Sequence, residues 1–342
     1  MRAVQYVGER EAVVGARPDP RPGPGQVVIQ MKAAGICGSD LHAYRHPRPD
    51  VVESGRVPGH EPAGVIAALG PDVRGWSVGD RVTVYFRRVC GQCHYCLIGR
   101  ANVCLNRRGS YGVGPGLADG ACAEQMVVDA QYLLPIPEDF SFEDAAIVAC
   151  QGGTAYYPLS RLEVSGRNVL VVSGLGPVGL LATLFATAMG AASVGIDPSP
   201  TRRALAERLG AGHTLDPLTG PVGEQLRAIH PDGADRLIET SGSNAAHGAI
   251  GDLLKPLGMA AIVGLGSSDF KMPLGALTMR ELIVFGTSIY PDSQYDQIWR
   301  FLRRHGLRPS QVVTDRLPIE EGARAFHLAD TATAGKVCFT FA

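Results

Sequence analysis

The chain has 342 residues, of which 45% are hydrophobic and 19% are charged. This length is typical of about two domains, and the composition excludes a disordered chain and fits globular domains with a sizeable core. The formal net charge of −1 gives no reason to expect a nucleic acid or an acidic membrane as a partner.

The first 150 residues contain several short β-like segments separated by turns rich in glycine and proline. These segments lie at 26–36, 60–69, 80–86 and 124–128. The pattern predicts a β-rich, barrel-like domain. The N-terminus, MRAVQYVGER, lacks the apolar core of a secretory signal, so we expect a cytoplasmic protein. In such a reducing compartment, an even number of cysteines, here eight, indicates metal binding or catalysis rather than disulfides.

Three separated segments supply candidate ligands for one metal ion. Cys37 begins the segment CGSDLH, His60 lies in GHEPAGVIAALG, and Cys150 lies in ACQGG. Two thiolates and one imidazole would leave a fourth position open, which is typical of a catalytic zinc site. Each segment is weak evidence by itself, because a single cysteine such as Cys150 is more often part of a hydrophobic core.

A second group of cysteines lies close together in the sequence. It has the spacing C-x2-C-x2-C-x7-C and consists of Cys90, Cys93, Cys96 and Cys104. Four thiolates fill a tetrahedral shell and leave no open position, so the spacing predicts a structural zinc site. An iron–sulfur cluster is the alternative, since it is also commonly held by four cysteines.

From about residue 165 onward, the pattern changes to alternating strands and helices. Strands are predicted at 168–173, 192–196, 235–241, 260–266 and 282–288. Helices are predicted at 177–190 and 199–210. This alternation predicts a parallel, doubly wound sheet, an α/β fold. A helix at 295–306 and a strand at 335–341 follow, and we expect this tail to rejoin the first domain.

The stretch between Arg167 and Asp197 contains no charged residue. A membrane span needs about 20 predominantly apolar residues in one helix. Glycines and a proline near the start of this stretch instead favour a buried strand, a turn and a buried helix. We therefore expect no membrane partner.

The segment GLGPVG lies where the strand at 168–173 meets the helix that begins at 177. Its glycines fit the pattern G-x-G-x-x-G, and the six residues are Gly174, Leu175, Gly176, Pro177, Val178 and Gly179. In a strand–turn–helix context this pattern predicts a dinucleotide site. The first glycine permits the tight turn, the second lets the backbone approach the pyrophosphate, and the third lets helix and strand pack closely. An ordinary turn between strand and helix is the alternative.

An acidic residue follows this segment at the expected distance. Asp197 ends the next predicted strand, 18 residues after Gly179. Its carboxylate can accept hydrogen bonds from the adenosine ribose and would repel a 2′-phosphate, so we expect NAD rather than NADP. Arg202 and Arg203 point the other way, because a nearby arginine can accept a 2′-phosphate.

Taken together and in this order, these motifs resemble those of the zinc-dependent medium-chain alcohol dehydrogenases over essentially the whole chain. The resemblance implies a GroES-like catalytic domain at 1–151 that contains the zinc loop 90–104. It also implies an NAD-binding Rossmann domain at 152–288 and a return to the catalytic domain at 289–342. It implies one catalytic zinc, one structural zinc and NAD for each chain, a small-molecule alcohol or carbonyl substrate, and a homodimer or homotetramer.

In that family, the cysteine, the histidine and the later cysteine bind the catalytic zinc, which implies this role for Cys37, His60 and Cys150. Ser39 and His42 match the proton relay, in which a hydroxyl passes the alcohol proton through the cofactor ribose to a histidine.

Two acidic residues match supporting positions of the same family. Asp40 matches the acid that orients the metal-bound histidine. Glu61 matches a glutamate that lies near the metal and can become a transient ligand, and a purely structural carboxylate is the alternative for it.

The implied reaction is the transfer of a hydride between an alcohol and NAD, with zinc acting as a Lewis acid on the alcohol oxygen. The substrate class stays open between secondary alcohols, polyols and similar compounds. The segment CGSDLH resembles the polyol and threonine branches, whereas Cys150 resembles the simple-alcohol branch. A zinc-free quinone or enoyl reductase and a non-enzymatic NAD-binding regulator are the alternative functions. Cys122 and Cys338 are expected to pack in the core.

Overall fold

The computed structural model describes residues 1–114, 118–266, 274–331 and 335–342. The strands within these ranges are β1 (Arg2–Gly8), β2 (Glu11–Ala16), β3 (Gln26–Gly35), β4 (Glu61–Leu69), β5 (Arg81–Val84), β6 (Gln125–Asp129), β7 (Leu133–Pro135), β8 (Val169–Ser173), β9 (Ala192–Ile196), β10 (His213–Leu215), β11 (Ala234–Glu239), β12 (Leu254–Ile262), β13 (Ile283–Gly286), β14 (Val313–Leu317) and β15 (Lys336–Thr340).

The α-helices in the same ranges are α1 (Gly38–Arg45), α2 (Pro49–Ser54), α3 (His94–Leu97), α4 (Phe142–Ile147), α5 (Gly153–Arg161), α6 (Pro177–Ala188), α7 (Pro200–Arg208), α8 (Val222–Ile229), α9 (Asn244–Leu253), α10 (Leu274–Met279), α11 (Tyr295–Arg304) and α12 (Gly322–Asp330). A π-helical turn, Val148–Gly152, joins α4 to α5. None of the described helices has the length and apolar character that crossing a bilayer requires.

The chain divides into two compact units. The first contains Met1–Cys150 together with Pro291–Ala342, and the second contains Gln151–Tyr290.

The first unit is built on a seven-stranded sheet and a separate hairpin of β1 and β2. The main path of the sheet is β14-β15-β3-β4-β5-β7, and β6 pairs with β3. The long strand β3 is central because it pairs with β4, β6 and β15. The pairing of β15 with β3 places the tail strand beside the first part of the chain.

The second unit contains a six-stranded sheet in the order β10-β9-β8-β11-β12-β13, and all of its pairs are parallel. Counted from β8, this is the order 3-2-1-4-5-6 of a Rossmann fold. It confirms the predicted doubly wound sheet. Ligands of such sheets bind outside the carboxyl ends of the strands, where the strand order reverses, and here that point follows β8.

The sequence predicted the kinds of element better than their ends. The helix expected at 177–190 ends at Ala188, and Gly190 has a φ of +85°. The helix expected at 295–306 ends at Arg304, and Gly306 has a φ of +62°. In both cases the helix stops before a glycine in the left-handed region, which is a common way for a helix to end. The three-residue strand β10 was too short to be predicted.

Candidate active site

Four potential ligands come together in the first unit. The ligand atoms of Cys37, His60, Glu61 and Cys150 all lie within 4.8 Å of one another. Cys37 is the residue before α1, His60 directly precedes β4, Glu61 begins β4, and Cys150 lies in the π-helical turn. Such single-turn π-bulges are frequently found at functional sites.

The chemistry of this cluster fits a zinc ion. Cys150 Sγ lies 3.3 Å from His60 Nε2, so a sulfur and the imidazole nitrogen face the same point. Thiolate and imidazole ligands favour zinc over the hard cations magnesium and calcium. Together with Cys37 they offer three donor groups, a number that would leave one position of a tetrahedral zinc open.

Asp40 fixes the orientation of two of these ligands. It is 1% exposed, its Oδ1 lies 2.8 Å from His60 Nδ1, and its Oδ2 accepts a 2.9 Å hydrogen bond from the Cys37 backbone N–H. The proton on Nδ1 therefore faces Asp40, and Nε2 is left to bind metal. Burial by itself would lower the pKa of His60, but the charges of Asp40 and Cys37 more than offset it and raise this pKa well above its usual value.

Glu61 has a partner that the sequence did not reveal. Lys336, on β15, is fully buried and forms an ion pair with Glu61 Oε2, while its Nζ donates a 2.7 Å hydrogen bond to the carbonyl of Ile36. Glu61 Oε1 has no hydrogen-bond partner among the described residues. Burial raises the pKa of Glu61 to about 7, against the lowering effect of Lys336. The only sequence signal was a lysine at the start of an otherwise apolar strand.

The two predicted relay residues lie on a cavity in the same unit. Ser39 and His42 line this cavity, whose volume is about 370 Å³. Ser39 Oγ lies 3.4 Å from His60 Nε2, so the serine connects the cavity to the metal-ligand cluster. His42 is exposed. The structure therefore brings Cys37, Ser39, Asp40, His60, Glu61 and Cys150 together, with His42 at the adjoining cavity.

The four-cysteine loop forms a second, separate cluster. Neighbouring sulfurs lie 3.6 Å apart for Cys93 and Cys96, 3.8 Å for Cys93 and Cys104, 3.5 Å for Cys104 and Cys90, and 4.0 Å for Cys90 and Cys96. Zn–S bonds of about 2.3 Å in a tetrahedron place the sulfurs about 3.8 Å apart. An iron–sulfur cluster holds its thiolates farther apart, because iron and sulfide atoms lie between them. The distances therefore fit a single zinc ion.

The electrostatics of the loop also fit a cation. Backbone N–H groups of Cys96 and Leu105 lower the pKa of Cys93 to about 6. Burial and the neighbouring thiols raise the pKa of Cys96 to about 12. Backbone N–H groups, that of Gln92 first, also lower the pKa of Cys90, so two thiolates are stabilised locally. A divalent cation would favour the thiolate of Cys96 as well.

In the second unit, the glycine-rich segment has the geometry of a dinucleotide site. Gly174 has a φ of +90°, and a Cβ there would lie 2.8 Å from the backbone nitrogen of Ser241. A Cβ at Gly179 would lie 1.9 Å from the carbonyl oxygen of Gly174, so only glycine lets α6 approach β8. A Cβ at Gly176 would meet no atom within 4 Å. The space around Gly176 is therefore open at the start of α6, whose first residues are Pro177 and Val178. The free N–H groups at such a helix N-terminus can bind phosphate.

Asp197 directly follows β9 and is 4% exposed. Its Oδ2 accepts a 2.8 Å hydrogen bond from the Leu175 N–H, and its Oδ1 accepts one of 2.8 Å from the Ser199 N–H. The carboxylate is therefore held rigidly beside the glycine-rich turn. Arg203 pairs with Asp216 at 2.9 Å. Burial lowers the pKa of Arg202, and the charge of Asp197 partly opposes this shift.

Comparison with known proteins adds independent information. Residues 23–138 match the family "Alcohol dehydrogenase GroES-like domain", and residues 177–304 match "Zinc-binding dehydrogenase". An L-threonine 3-dehydrogenase of Stenotrophomonas maltophilia is 32% identical over 95% of this chain and 94% of its own.

Two solved structures are also similar. The alcohol dehydrogenase TADH of Thermus sp. ATN1 has a TM-score of 0.91 and 31% identity, and 99% of each chain is covered. A structure described as a short chain alcohol dehydrogenase of Escherichia coli CFT073, in complex with NADH, has a TM-score of 0.89 and 26% identity, covering 100% of this chain and 99% of the other.

Proposed function

We propose residue roles, a cofactor preference and a substrate class for this chain from the premise that it belongs to the zinc-binding, GroES-like alcohol dehydrogenases. It is an oxidoreductase, and its cofactors are zinc and NAD. The reaction is alcohol plus NAD⁺ giving carbonyl compound, NADH and a proton. The complete set of zinc ligands argues against a zinc-free reductase on this fold.

Cys37, His60 and Cys150 would hold the catalytic zinc, which supplies a Lewis acid for the substrate oxygen. Asp40 keeps the Nδ1 proton of His60 in place, so that Nε2 stays directed at the metal. Glu61 has one oxygen held by Lys336 and the other unpartnered among the described residues, which supports a role as a transient ligand at the open position.

Ser39 and His42 would carry the proton away. Ser39 Oγ would accept the hydroxyl proton of the alcohol and give up its own proton through the cofactor ribose toward His42. NAD, when bound, would supply the acceptor for the hydride. His42, exposed on the same cavity, accepts the proton from the serine side and releases it to water. The observation that supports this proposal is the 3.4 Å distance between Ser39 Oγ and His60 Nε2, since a hydroxyl then lies beside the metal-ligand cluster.

The substrate class we propose is a secondary alcohol, a polyol or a similar compound. The test is NAD reduction by the zinc-loaded protein with primary alcohols, secondary alcohols, polyols and threonine. Turnover of secondary alcohols or polyols above that of primary alcohols is expected. Turnover of primary alcohols alone would refute the substrate class, and no turnover of these alcohols or of 3-hydroxybutyrate and glycerol phosphate would refute the reaction.

The two compact units correspond to two proposed functional domains. Residues 1–151 with 289–342 would form the catalytic domain, and 152–288 the NAD-binding domain, close to the boundaries of the two compact units. A homodimer or homotetramer and a cytoplasmic location stay predictions.

The rigidly held carboxylate of Asp197 leads us to expect a preference for NAD over NADP. The charge would repel a 2′-phosphate, so kcat/KM should be higher with NAD by at least about 10-fold. Asp197→Ser should lower this ratio, because a hydroxyl can still accept from the ribose but carries no charge. Steady-state kinetics with NAD and with NADP measures the ratio of the two kcat/KM values. Asp216→Ser, which removes the acidic partner of Arg203, is the control variant. An unchanged ratio in Asp197→Ser would contradict the assignment.

The loop cysteines should hold a zinc that is independent of the catalytic one. Cys96→Ser leaves three thiolates, so we expect zinc content to fall from about two to about one per chain. The Cys37–His60–Cys150 cluster is untouched and should keep its metal. Elemental analysis after dialysis measures the content, and retention of both zinc ions would argue that Cys96 is not a ligand.

A further inference from the structure

The cavity next to the metal-ligand cluster has an unbalanced charge. Its volume of about 370 Å³ lies in the range typical of small-molecule sites. Basic side chains contribute to its lining, namely His42, His46, Arg48 and Arg56. No aspartate or glutamate is among the described residues that line it.

Two of these basic residues have acidic partners at the rim. His46 Nδ1 lies 3.4 Å from Glu9, and Arg48 pairs with Asp50 at 2.9 Å. These four side chains are at least half exposed, so solvent and salt screen their charges.

Arg56 differs from the other two. It is half-buried, and within the described part of the chain no carboxylate lies within ion-pair distance of its guanidinium. A partly desolvated guanidinium without a counter-ion favours binding of an anion. Its planar fork of N–H donors matches the geometry of a carboxylate or a phosphate.

The same cavity reaches the catalytic groups. Ser39 lines it and lies 3.4 Å from His60 Nε2, so a molecule in the cavity can place a hydroxyl at the metal cluster. The apolar side chains of Val51 and Val57 line it as well and would contact a short carbon skeleton. One molecule could thus present its hydroxyl to Ser39 and an anionic group to Arg56.

We propose that this cavity selects alcohols that carry a carboxylate or a phosphate, with Arg56 binding the anionic group. This inference rests on the proposed dehydrogenase function and specifies its substrate class. An ammonium group would find no carboxylate among the described lining residues, so a net anion is favoured over a zwitterion such as threonine. The specificity thus differs from that in the name of the Stenotrophomonas relative.

The test compares substrates that differ in one group. For the zinc-loaded enzyme with NAD, kcat/KM is measured for 3-hydroxybutyrate, for 2-butanol, in which a methyl replaces the carboxylate, and for threonine, which adds an ammonium group. Glycerol phosphate and glycerol form the phosphate pair. We expect the anion to exceed its neutral partner in at least one pair, and 3-hydroxybutyrate to exceed threonine if the carboxylate pair shows the preference. Arg56→Gln should then reduce the anion-to-neutral ratio by about 10- to 100-fold.

Controls separate this inference from the function on which it rests. Arg74→Gln removes an exposed arginine that does not line the cavity and should leave the ratio unchanged. Arg56→Lys should keep part of the preference and guards against misfolding of the glutamine variant. Turnover of neutral alcohols without a preference for either anion would overturn the anion site and leave the dehydrogenase function intact. An anion-to-neutral ratio of kcat/KM that is unchanged in Arg56→Gln would also overturn the anion site and leave the dehydrogenase function intact. This includes the case in which only the KM for NAD rises.

A direct binding measurement tests the anion site even if the protein oxidises no alcohol. If no alcohol is oxidised, calorimetric titration of the zinc-loaded protein with 3-hydroxybutyrate and with glycerol phosphate still tests the site. Binding to the wild type that is lost in Arg56→Gln would support the anion site while the dehydrogenase function fails. Absence of binding to the wild type would overturn both.

Discussion

Replacement of Cys37 by alanine is expected to reduce alcohol turnover by at least about 1,000-fold, because the catalytic zinc loses one of its three protein ligands. The Lewis acid contributes several kcal/mol to the reaction, and about 1.4 kcal/mol corresponds to a factor of ten in rate. NAD binding should persist, since the glycine-rich segment and Asp197 belong to the other unit. Steady-state NADH formation and fluorescence titration with NADH measure the two quantities.

Cys338→Ala is the matched control for this variant. Cys338 is a fully buried cysteine that belongs to neither group of potential metal ligands in the described chain. We expect it to retain most of the turnover and both zinc ions. Turnover of Cys37→Ala within about tenfold of the wild type would contradict the assignment of Cys37 as a ligand of the catalytic metal.

Replacement of Lys336 by methionine should destabilise the first unit by about 3–5 kcal/mol. Both Lys336 and Glu61 are fully buried, so loss of the lysine leaves a carboxylate in the interior without its cation. The carbonyl of Ile36 also loses a hydrogen-bond donor. The double variant Glu61→Gln/Lys336→Met should be more stable than Lys336→Met, because it removes both charges of the pair.

Tryptophan fluorescence can report the free energy of unfolding of the first unit alone. The chain has two tryptophans, Trp76 and Trp299, and both lie in the first unit. Their fluorescence during urea unfolding, with zinc present, therefore reports on the unit that contains the pair. Lys32→Met is the control, because Lys32 is on the same sheet but its ammonium group is exposed, and a change within about 0.5 kcal/mol is expected. A loss below about 1 kcal/mol in Lys336→Met would show that the pair contributes little to stability.

Much of the site followed from spacing in the sequence. The four loop cysteines lie within 15 residues, so local geometry alone could bring their sulfurs together. The glycine-rich segment was predictable because its strand, turn and helix are consecutive. Cys37, His60 and Cys150 are separated by up to 113 residues, and only the order of motifs shared with a known family connected them.

The partners of Glu61 and of the substrate cavity could not be predicted in this way. Lys336 reaches Glu61 only because β15 returns to pair with β3, which itself pairs with β4, a contact across 275 residues of sequence. Arg56 is a candidate anion-binding residue because the described cavity lining contains no acidic partner for it. The sequence alone cannot show that such a partner is missing. The π-helical turn at Cys150 could not be predicted either, because the sequence pattern around it assigned no element to residues 142–161.

Transfer of deuterium tests the central assignment most directly. A secondary alcohol with deuterium on its carbinol carbon is incubated in ordinary water with NAD and the zinc-loaded enzyme, and the NADH is examined by mass spectrometry. A hydride that passes directly from alcohol to nicotinamide must give one deuterium on each NADH formed, together with an equal amount of carbonyl compound. NADH that carries hydrogen from water, or no NADH from a protein with both zinc sites filled, would contradict the assignment.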